Sequence, residues 1–134
     1  MSAANQLGLY VTVIAAVPAT LAPGTRVVLA STAGTPAELK PASNAQIGLG
    51  VVPEGVGINT SPAAIQILVK TPGTRAGIFS GSTATATGAV LYAGNNGTVQ
   101  GAPDSGAGTM VGISQEQVAV TGPVPVQFSF ESAV

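Results

Sequence analysis

The stretch VVLASTAGT at residues 27–35 decides the fold, because it returns as VLYAGNNGT at residues 90–98, 63 positions later. Two shorter matches follow in the same order, at spacings of 64 and 61 residues: QIGL at 46–49 with MVGI at 110–113, and IQI at 65–67 with VQF at 126–128. Self-similarity at a near-constant spacing indicates a repeated structural unit. We therefore predict two similar halves, with the internal repeat at residues 24–70 and 88–130.

The apolar runs of both halves are short and alternate with a period of two, which is typical of β-strands. Two predicted strands show this most clearly, with one apolar face each: Ile65, Ile67 and Val69 in one, and Val126, Phe128 and Phe130 in the other. The chain contains 18 Gly and 10 Pro, spread between these runs as turn residues. The pattern predicts an all-β fold, a compact β-barrel or jelly-roll-like sandwich built from the two similar halves.

Glycines mark specific backbone features in this reading. Asn96-Gly97 suits a type I′ hairpin turn, whose two central residues need positive φ. Gly34 occupies the matching place in the first half and predicts a looser turn. Gly48 and Gly112 interrupt apolar strands, and a glycine there predicts a β-bulge or a close backbone approach.

The N-terminal segment LGLYVTVIAAV at residues 7–17 is apolar on both faces of a strand. A strand of this kind is buried on both sides or is covered by a neighbouring subunit. We predict an extended N-terminal strand or arm within residues 1–22, followed by a single β domain at residues 23–134.

The apolar stretch at residues 7–22 also invites comparison with a signal peptide. It lacks a basic region before it, contains Pro18 and is rich in β-branched residues. These features favour a strand over a membrane-crossing helix. We therefore expect a protein that is made in the cytoplasm without an export signal and has no membrane partner.

Charged residues are scarce, at 7% of the chain against about 25% in ordinary domains. A solvent-coated monomer carries more charge, so we expect that other proteins cover part of this surface. The alternative is an exterior coated by Ser, Thr and Asn. The net charge is −1 and the sequence contains no basic run, which argues against direct nucleic-acid binding.

The residue types that perform chemistry are missing or scattered. There is no His and no Cys, and the five acidic residues are far apart in the sequence. The sequence GISQE at residues 112–116 is only half of a nucleophile elbow. We therefore expect no enzymatic activity, no cofactor and no metal site.

The second half resembles a family of small capsid decoration, or cement, proteins of tailed bacteriophages. The residues that carry the resemblance are GAVLYA at 88–93, NGTV at 96–99, MVGI at 110–113 and VPVQF at 124–128. The first half repeats this order, so the resemblance covers roughly residues 24–130. It implies a virion protein, made in the host cytoplasm, that binds the outer surface of the head and stabilises the capsid by bridging neighbouring major capsid subunits. It also implies a homo-oligomer, with a trimer favoured and a dimer possible.

The apolar N-terminal strand is the predicted contact with that partner, by strand pairing or docking. The candidate partner-binding residues are the following: Leu9, Tyr10, Val11, Val13, Ile14 and Leu68, the last expected on the outward side of its strand. Loops 53–63 and 101–108 are secondary candidates. Deleting residues 1–17 is expected to abolish binding to heads and leave a folded core.

Two other functions remain open from the sequence. A β-sandwich fibre, tail-associated or pilus-like surface subunit would also suit the low charge and the apolar N-terminal strand. A small ligand-binding or carbohydrate-binding module would need a concave pocket with convergent polar groups. The chain has only 3 Phe, 2 Tyr and no Trp, which weighs against an aromatic binding platform.

Overall fold

The computed structural model describes residues 10–69, 73–81, 83–104, 106, 108–119 and 122–130. The described chain is all-β, as predicted, and a single turn of 3-10 helix covers Asn95–Gly97. The ten strands are β1 Tyr10–Val17, β2 Arg26–Ala30, β3 Glu38–Pro41, β4 Gly50–Val51, β5 Asn59–Val69, β6 Gly73–Phe79, β7 Val90–Ala93, β8 Val99–Gln100, β9 Met110–Ser114 and β10 Val124–Phe130.

The strands form two closed five-stranded barrels with the same topology. Read around each barrel, the order is β1-β3-β2-β4-β5 in the first and β6-β8-β7-β9-β10 in the second. Each barrel contains one parallel pair, β1 with β3 and β6 with β8, and its other pairs are antiparallel. The prediction of two similar halves is confirmed, and each half closes its own barrel.

The duplication begins earlier in each half than the sequence repeat suggested. β1 and β6 occupy equivalent places in their barrels, yet they lie before the matched sequence stretches. β1 is a strand of the first barrel and pairs with β5 from Tyr10 opposite Leu68 to Val17 opposite Asn59. Residues 7–9 of the predicted apolar strand lie outside the described residues.

Each barrel has its own apolar core, and the second core extends into the first barrel. The first core consists of Ala15, Val17, Leu21, Val27, Leu39, Val52, Ile65 and Ile67. The second contains Phe79, Leu91, Ala93, Val99, Val111, Val118, Val126, Phe128 and Phe130, together with Val51 and Leu68 from β4 and β5. The rings of Phe128 and Phe130 meet edge to face with centroids 4.9 Å apart. The predicted apolar face of β10 is therefore confirmed.

Arg26 joins the two barrels from a fully buried position. Its guanidinium donates hydrogen bonds to the carbonyl oxygens of Gly94 at 2.8 Å and Thr98 at 2.7 Å in the second barrel. It also donates to the carbonyl oxygens of Gln46 and Ile47 in the first barrel. Burial lowers the pKa of Arg26 to about 10, which still leaves the side chain charged at neutral pH.

The turn that follows β7 has the predicted type I′ character. Asn96 has φ 56° and Gly97 has φ 75°, and the N–H of Thr98 donates to the carbonyl of Asn95 at 3.2 Å. The turn contacts the first barrel, because the N–H of Gly97 donates to the carbonyl of Ala42 at 2.8 Å. This hairpin turn therefore contributes to the interface between the barrels.

A pair of substitutions at Asn96 tests this turn. Asn96→Ala should lower the free energy of unfolding by about 1 kcal/mol, because alanine tolerates the left-handed region less well than asparagine. Asn96→Gly should leave it unchanged within about 0.5 kcal/mol, because glycine adopts positive φ readily. Urea denaturation of both variants measures the difference. Equal stability of the two variants would contradict the turn assignment.

Gly48 and Gly112 both show the predicted close backbone approach. A Cβ added to Gly48 would lie 2.9 Å from the carbonyl oxygen of Val27, and one added to Gly112 would lie 2.0 Å from that of Ser129. The register of β7 with β9 also shifts beside Gly112, between Leu91 and Tyr92. A β-bulge lies at this point of the second barrel.

Candidate docking surface

The outer face of the β1–β5 pair is uncharged and exposes apolar side chains at positions that the sequence analysis pointed to. Side chains of directly paired residues lie on the same face of a sheet, and Thr12 pairs with Gln66 and Ile14 with Ala64. All four are exposed, as is Tyr10. We call these five residues the β1–β5 face; Ile14 is 62% exposed and Tyr10 45%.

A groove of about 420 Å³ runs beside this face. One wall is formed by Ala64, Ile65 and Gln66 of β5, and the other by the loop at residues 53–56, with Tyr10 at the edge. This space is called the β5 groove below. Glu54 is the charged residue among those that line it.

The hydrogen bonds of β4 fix the direction in which the backbone of β5 points. The N–H of Val52 donates to the carbonyl of Thr25 at 3.1 Å, and its carbonyl accepts from Gly24 at 2.8 Å, so Val52 faces β2. Successive residues of a strand point their backbone groups in opposite directions. The backbone N–H and C=O of Val51 therefore point toward β5, where Val51 pairs with Leu68. Those of Leu68 point toward β4.

By the same alternation, Gln66 and Ala64 point their backbone N–H and C=O groups toward the β4 side, into the β5 groove. β4 pairs with β5 only at Leu68 and Val69 within the described chain. No hydrogen bond in that part of the chain joins Gln66 to the loop at residues 53–56. The groove therefore contains an open strand edge.

The corresponding edge in the second barrel is covered. Gln127 occupies in β10 the place of Gln66 in β5, because Ile113 pairs with Ser129 as Val51 pairs with Leu68. The N–H of Gln115 donates to the carbonyl of Gln127 at 2.9 Å. The N–H of Gln127 donates to a carboxylate oxygen of Glu116 at 2.6 Å. The segment after β9 thus caps this edge.

In the first barrel, Pro53 stands where Gln115 stands in the second. A proline has no backbone N–H, so it cannot make the corresponding hydrogen bond to Gln66. The sequence analysis missed the groove, because its match of residues 46–49 with 110–113 places Pro53 opposite Gln117, whereas the strand register places it opposite Gln115.

The predicted partner-binding residues divide into four groups in the structure. Tyr10 and Ile14 are exposed on the β1–β5 face. Val11 and Val13 alternate with them, and Val13 packs against the first core. Leu9 lies outside the described residues. Leu68 lies on the outward side of β5, as expected, but the second barrel covers that side and Leu68 is fully buried, so it does not form part of the exposed surface.

The expected result of deleting residues 1–17 also needs correction. β1 pairs with β5 along its length, and Ala15 and Val17 belong to the first core. Removing β1 would open the first barrel instead of leaving a folded core. Point substitutions on exposed residues are therefore the appropriate test of docking.

The secondary loop candidates lie in different settings. Residues 53–56 form a wall of the β5 groove, whereas residues 59–63 belong to β5 itself. The other loop approaches the first barrel through Asp104, whose carboxylate accepts a hydrogen bond from the side-chain amide of Asn44 at 2.8 Å.

The described residues contain no group of three or more His, Cys, Asp or Glu that could hold a metal ion. In that same part of the chain, no helix has the length and apolar character needed to cross a membrane.

Comparison with known proteins gives a structural match. No family model matches the chain, and neither does any curated protein. The fold is similar to the crystal structure of the head fiber gp8.5 N base of bacteriophage phi29, with a TM-score of 0.67 and 15% sequence identity. The match covers 92% of this chain and 95% of that one. At this identity the similarity shows a shared fold that spans both barrels.

Proposed function

We propose that this chain is a virion structural protein of a tailed bacteriophage that binds the outer surface of the head and stabilises it by bridging neighbouring major capsid subunits. The observation that supports this most is the fold similarity to a phage head fiber base, which extends over 92% of the chain. The family resemblance of the repeated sequence motifs points to the same part of the virion.

The β1–β5 face suits contact with another protein. The cores of protein–protein interfaces are depleted in charged residues and enriched in aromatic side chains. Tyr10 and Ile14 offer exposed apolar surface, and the face contains no charged residue. Ionic side chains at residues 38 and 40 instead pair with each other on β3, with a distance of 3.3 Å between Lys40 Nζ and Glu38 Oε1.

In this role the chain catalyses no reaction and binds no cofactor, and its contacts are protein surfaces instead of nucleic acid. Copies would sit across junctions of the capsid lattice as a closed homo-oligomer, with a trimer favoured over a dimer. Each contact needs to contribute only a few kcal/mol, because about 1.4 kcal/mol changes a binding equilibrium tenfold. Many symmetric contacts would then stabilise the shell together.

Ile14→Lys should weaken binding to undecorated heads at least tenfold, because a lysine would have to lose its hydration in the interface. Leu29→Lys is the control: Leu29 is an exposed apolar residue on β2, which pairs with β3 and β4 and lies outside the β1–β5 face and both candidate loops. Both variants should fold, since both side chains already face solvent. Cosedimentation of purified protein with heads gives affinity and saturation stoichiometry.

The two variants and the unsubstituted protein test docking through the β1–β5 face separately from the proposed function. Unchanged binding by Ile14→Lys, or a loss confined to Leu29→Lys, would contradict docking through the β1–β5 face. Failure of the unsubstituted protein to bind any heads would contradict the proposed function itself.

A second function, the base of a head fibre, is favoured by the similarity to the head fiber base of bacteriophage phi29. Thermal rupture of heads with and without bound protein distinguishes the two. A stabilising protein raises the rupture temperature, whereas a protein that only anchors a fibre leaves that temperature unchanged.

A further inference from the structure

We propose that residues 1–9 of a second copy of this chain bind in the β5 groove as an added strand, hydrogen-bonded to the backbone of Ala64 and Gln66. The proposal rests on the open edge of β5 and does not depend on binding to heads. It adds a self-association site to the molecule.

The groove offers backbone groups in the arrangement that an extended chain recognises. N–H and C=O groups of Ala64 and Gln66 point into it, two residues apart on one strand, as the pairing of β4 with β5 requires. Added strands bind such edges through main-chain hydrogen bonds. The loop at residues 53–56 forms the opposite wall, so the site admits a single strand.

The second barrel shows the chemistry that this position accepts. There a backbone N–H from Gln115 and a carboxylate oxygen from Glu116 bind the carbonyl and the N–H of Gln127. Pro53 removes the equivalent donor from the first barrel. A chain from outside that presents both an N–H and a C=O would supply both partners at Gln66.

The position and composition of residues 1–9 make them the favoured occupant. Tyr10, which follows them directly, lines the groove. The segment MSAANQLGL contains no charged residue and no proline, so every peptide N–H within it can donate. Nine extended residues reach at most about 30 Å, enough to span from one subunit to an adjacent groove.

The strand pairing favours a second copy over the same chain. β1 occupies one edge of β5, and β4 pairs with the other edge at Leu68 and Val69. β1 runs from a position opposite Leu68 toward Asn59, so a segment that precedes Tyr10 in the same chain would have to reverse direction to reach Gln66. Each copy therefore offers one segment and one groove, a head-to-tail arrangement that forms a ring when the rotation between successive copies closes.

Disulfide trapping between two copies tests the proposal cleanly, because the natural chain has no cysteine. One chain contains Asn5→Cys and the other, of distinguishable mass, contains Gln66→Cys. Ala4→Cys and Gln6→Cys chains are run in parallel to sample the register. The control acceptor is Ile58→Cys, which is 63% exposed and outside the groove.

The expected result is a mixed disulfide with Gln66→Cys in at least tenfold higher yield than with Ile58→Cys. Equal yields would overturn the proposal. So would a disulfide that closes within one chain when Asn5→Cys and Gln66→Cys are combined in the same molecule.

A second measurement keeps the full chain and alters only the donor segment. Gln6→Pro removes a peptide N–H and should convert the oligomer into a monomer in light scattering at micromolar concentration, whereas Asn5→Ala should preserve the oligomer. A Gln6→Pro protein with the mass of the unsubstituted oligomer, or an unsubstituted protein that is itself a monomer, would overturn the proposal.

Discussion

Arg26→Ala is expected to lower the free energy of unfolding by about 3–5 kcal/mol, a large fraction of the ~5–15 kcal/mol that a domain has. The substitution leaves the carbonyl oxygens of Gly94, Gln46 and Ile47 without the guanidinium donor. The carbonyl of Thr98 loses the guanidinium but still accepts from the N–H of Gly94 at 2.9 Å. Each buried acceptor without a partner costs about 1–3 kcal/mol. Relief from burying the charge offsets part of this loss.

Urea denaturation measures the effect, and the shape of the transition adds information. Because Arg26 joins the barrels, its loss should split one cooperative transition into two. Lys40→Ala is the control, since Lys40 is an exposed cation paired with Glu38, and surface pairs contribute about 0–1 kcal/mol. Arg26→Lys should also be destabilising, because an ammonium has three donors where the guanidinium has five.

A single transition with unchanged midpoint in Arg26→Ala would contradict the joining role. So would equal losses in Arg26→Ala and Lys40→Ala. Either result would mean that the apolar contacts of Val51 and Leu68 with the second core hold the barrels together without the guanidinium.

Gly112→Ala is expected to cost more than about 3 kcal/mol or to prevent folding. The added Cβ would lie 2.0 Å from the carbonyl oxygen of Ser129 and 2.9 Å from its carbonyl carbon. Both atoms belong to the backbone of β10, so no side-chain rotation relieves the contact. β10 would have to move away from β9 and would expose the core face that contains Phe128 and Phe130.

Gly57→Ala is the matched control, because no atom lies within 4 Å of the Cβ it would add. We expect its stability to differ from that of the unsubstituted protein by less than about 0.5 kcal/mol. Circular dichroism and urea denaturation of both variants measure the difference. A Gly112→Ala protein as stable as Gly57→Ala would contradict the close approach of β9 and β10.

The residue patterns predicted the all-β class, the duplication and the core face of β10. Period-two alternation in Phe128 and Phe130 sufficed for that face, because one side of the strand is the barrel interior. The I′ turn at Asn96 and Gly97 followed from local backbone preferences alone. The closure of each half into a separate barrel required long-range pairing, such as β1 with β5 and β6 with β10, that no local pattern encodes.

Leu68 shows why the candidate site was harder to predict. Alternation placed it on the outer side of β5, and the structure agrees, but a second barrel covers that side. A sequence pattern separates the two faces of a strand without saying whether water or protein lies beyond each. The equivalence of β1 and β6 also escaped detection, because YVTVIAAV and GTRAGIF share little beyond β-branched and small residues.

The two equivalent turns differ in how much change of length and sequence they tolerate. The turn at residues 95–98 is held against Arg26 and Ala42, so its length and sequence are constrained by a neighbour. Its counterpart at residues 31–36 is exposed throughout, and nothing lies within 4 Å of a Cβ added to Gly34. The turn at residues 31–36 can therefore be lengthened by natural variation, or can accept an inserted foreign peptide, without separating the barrels.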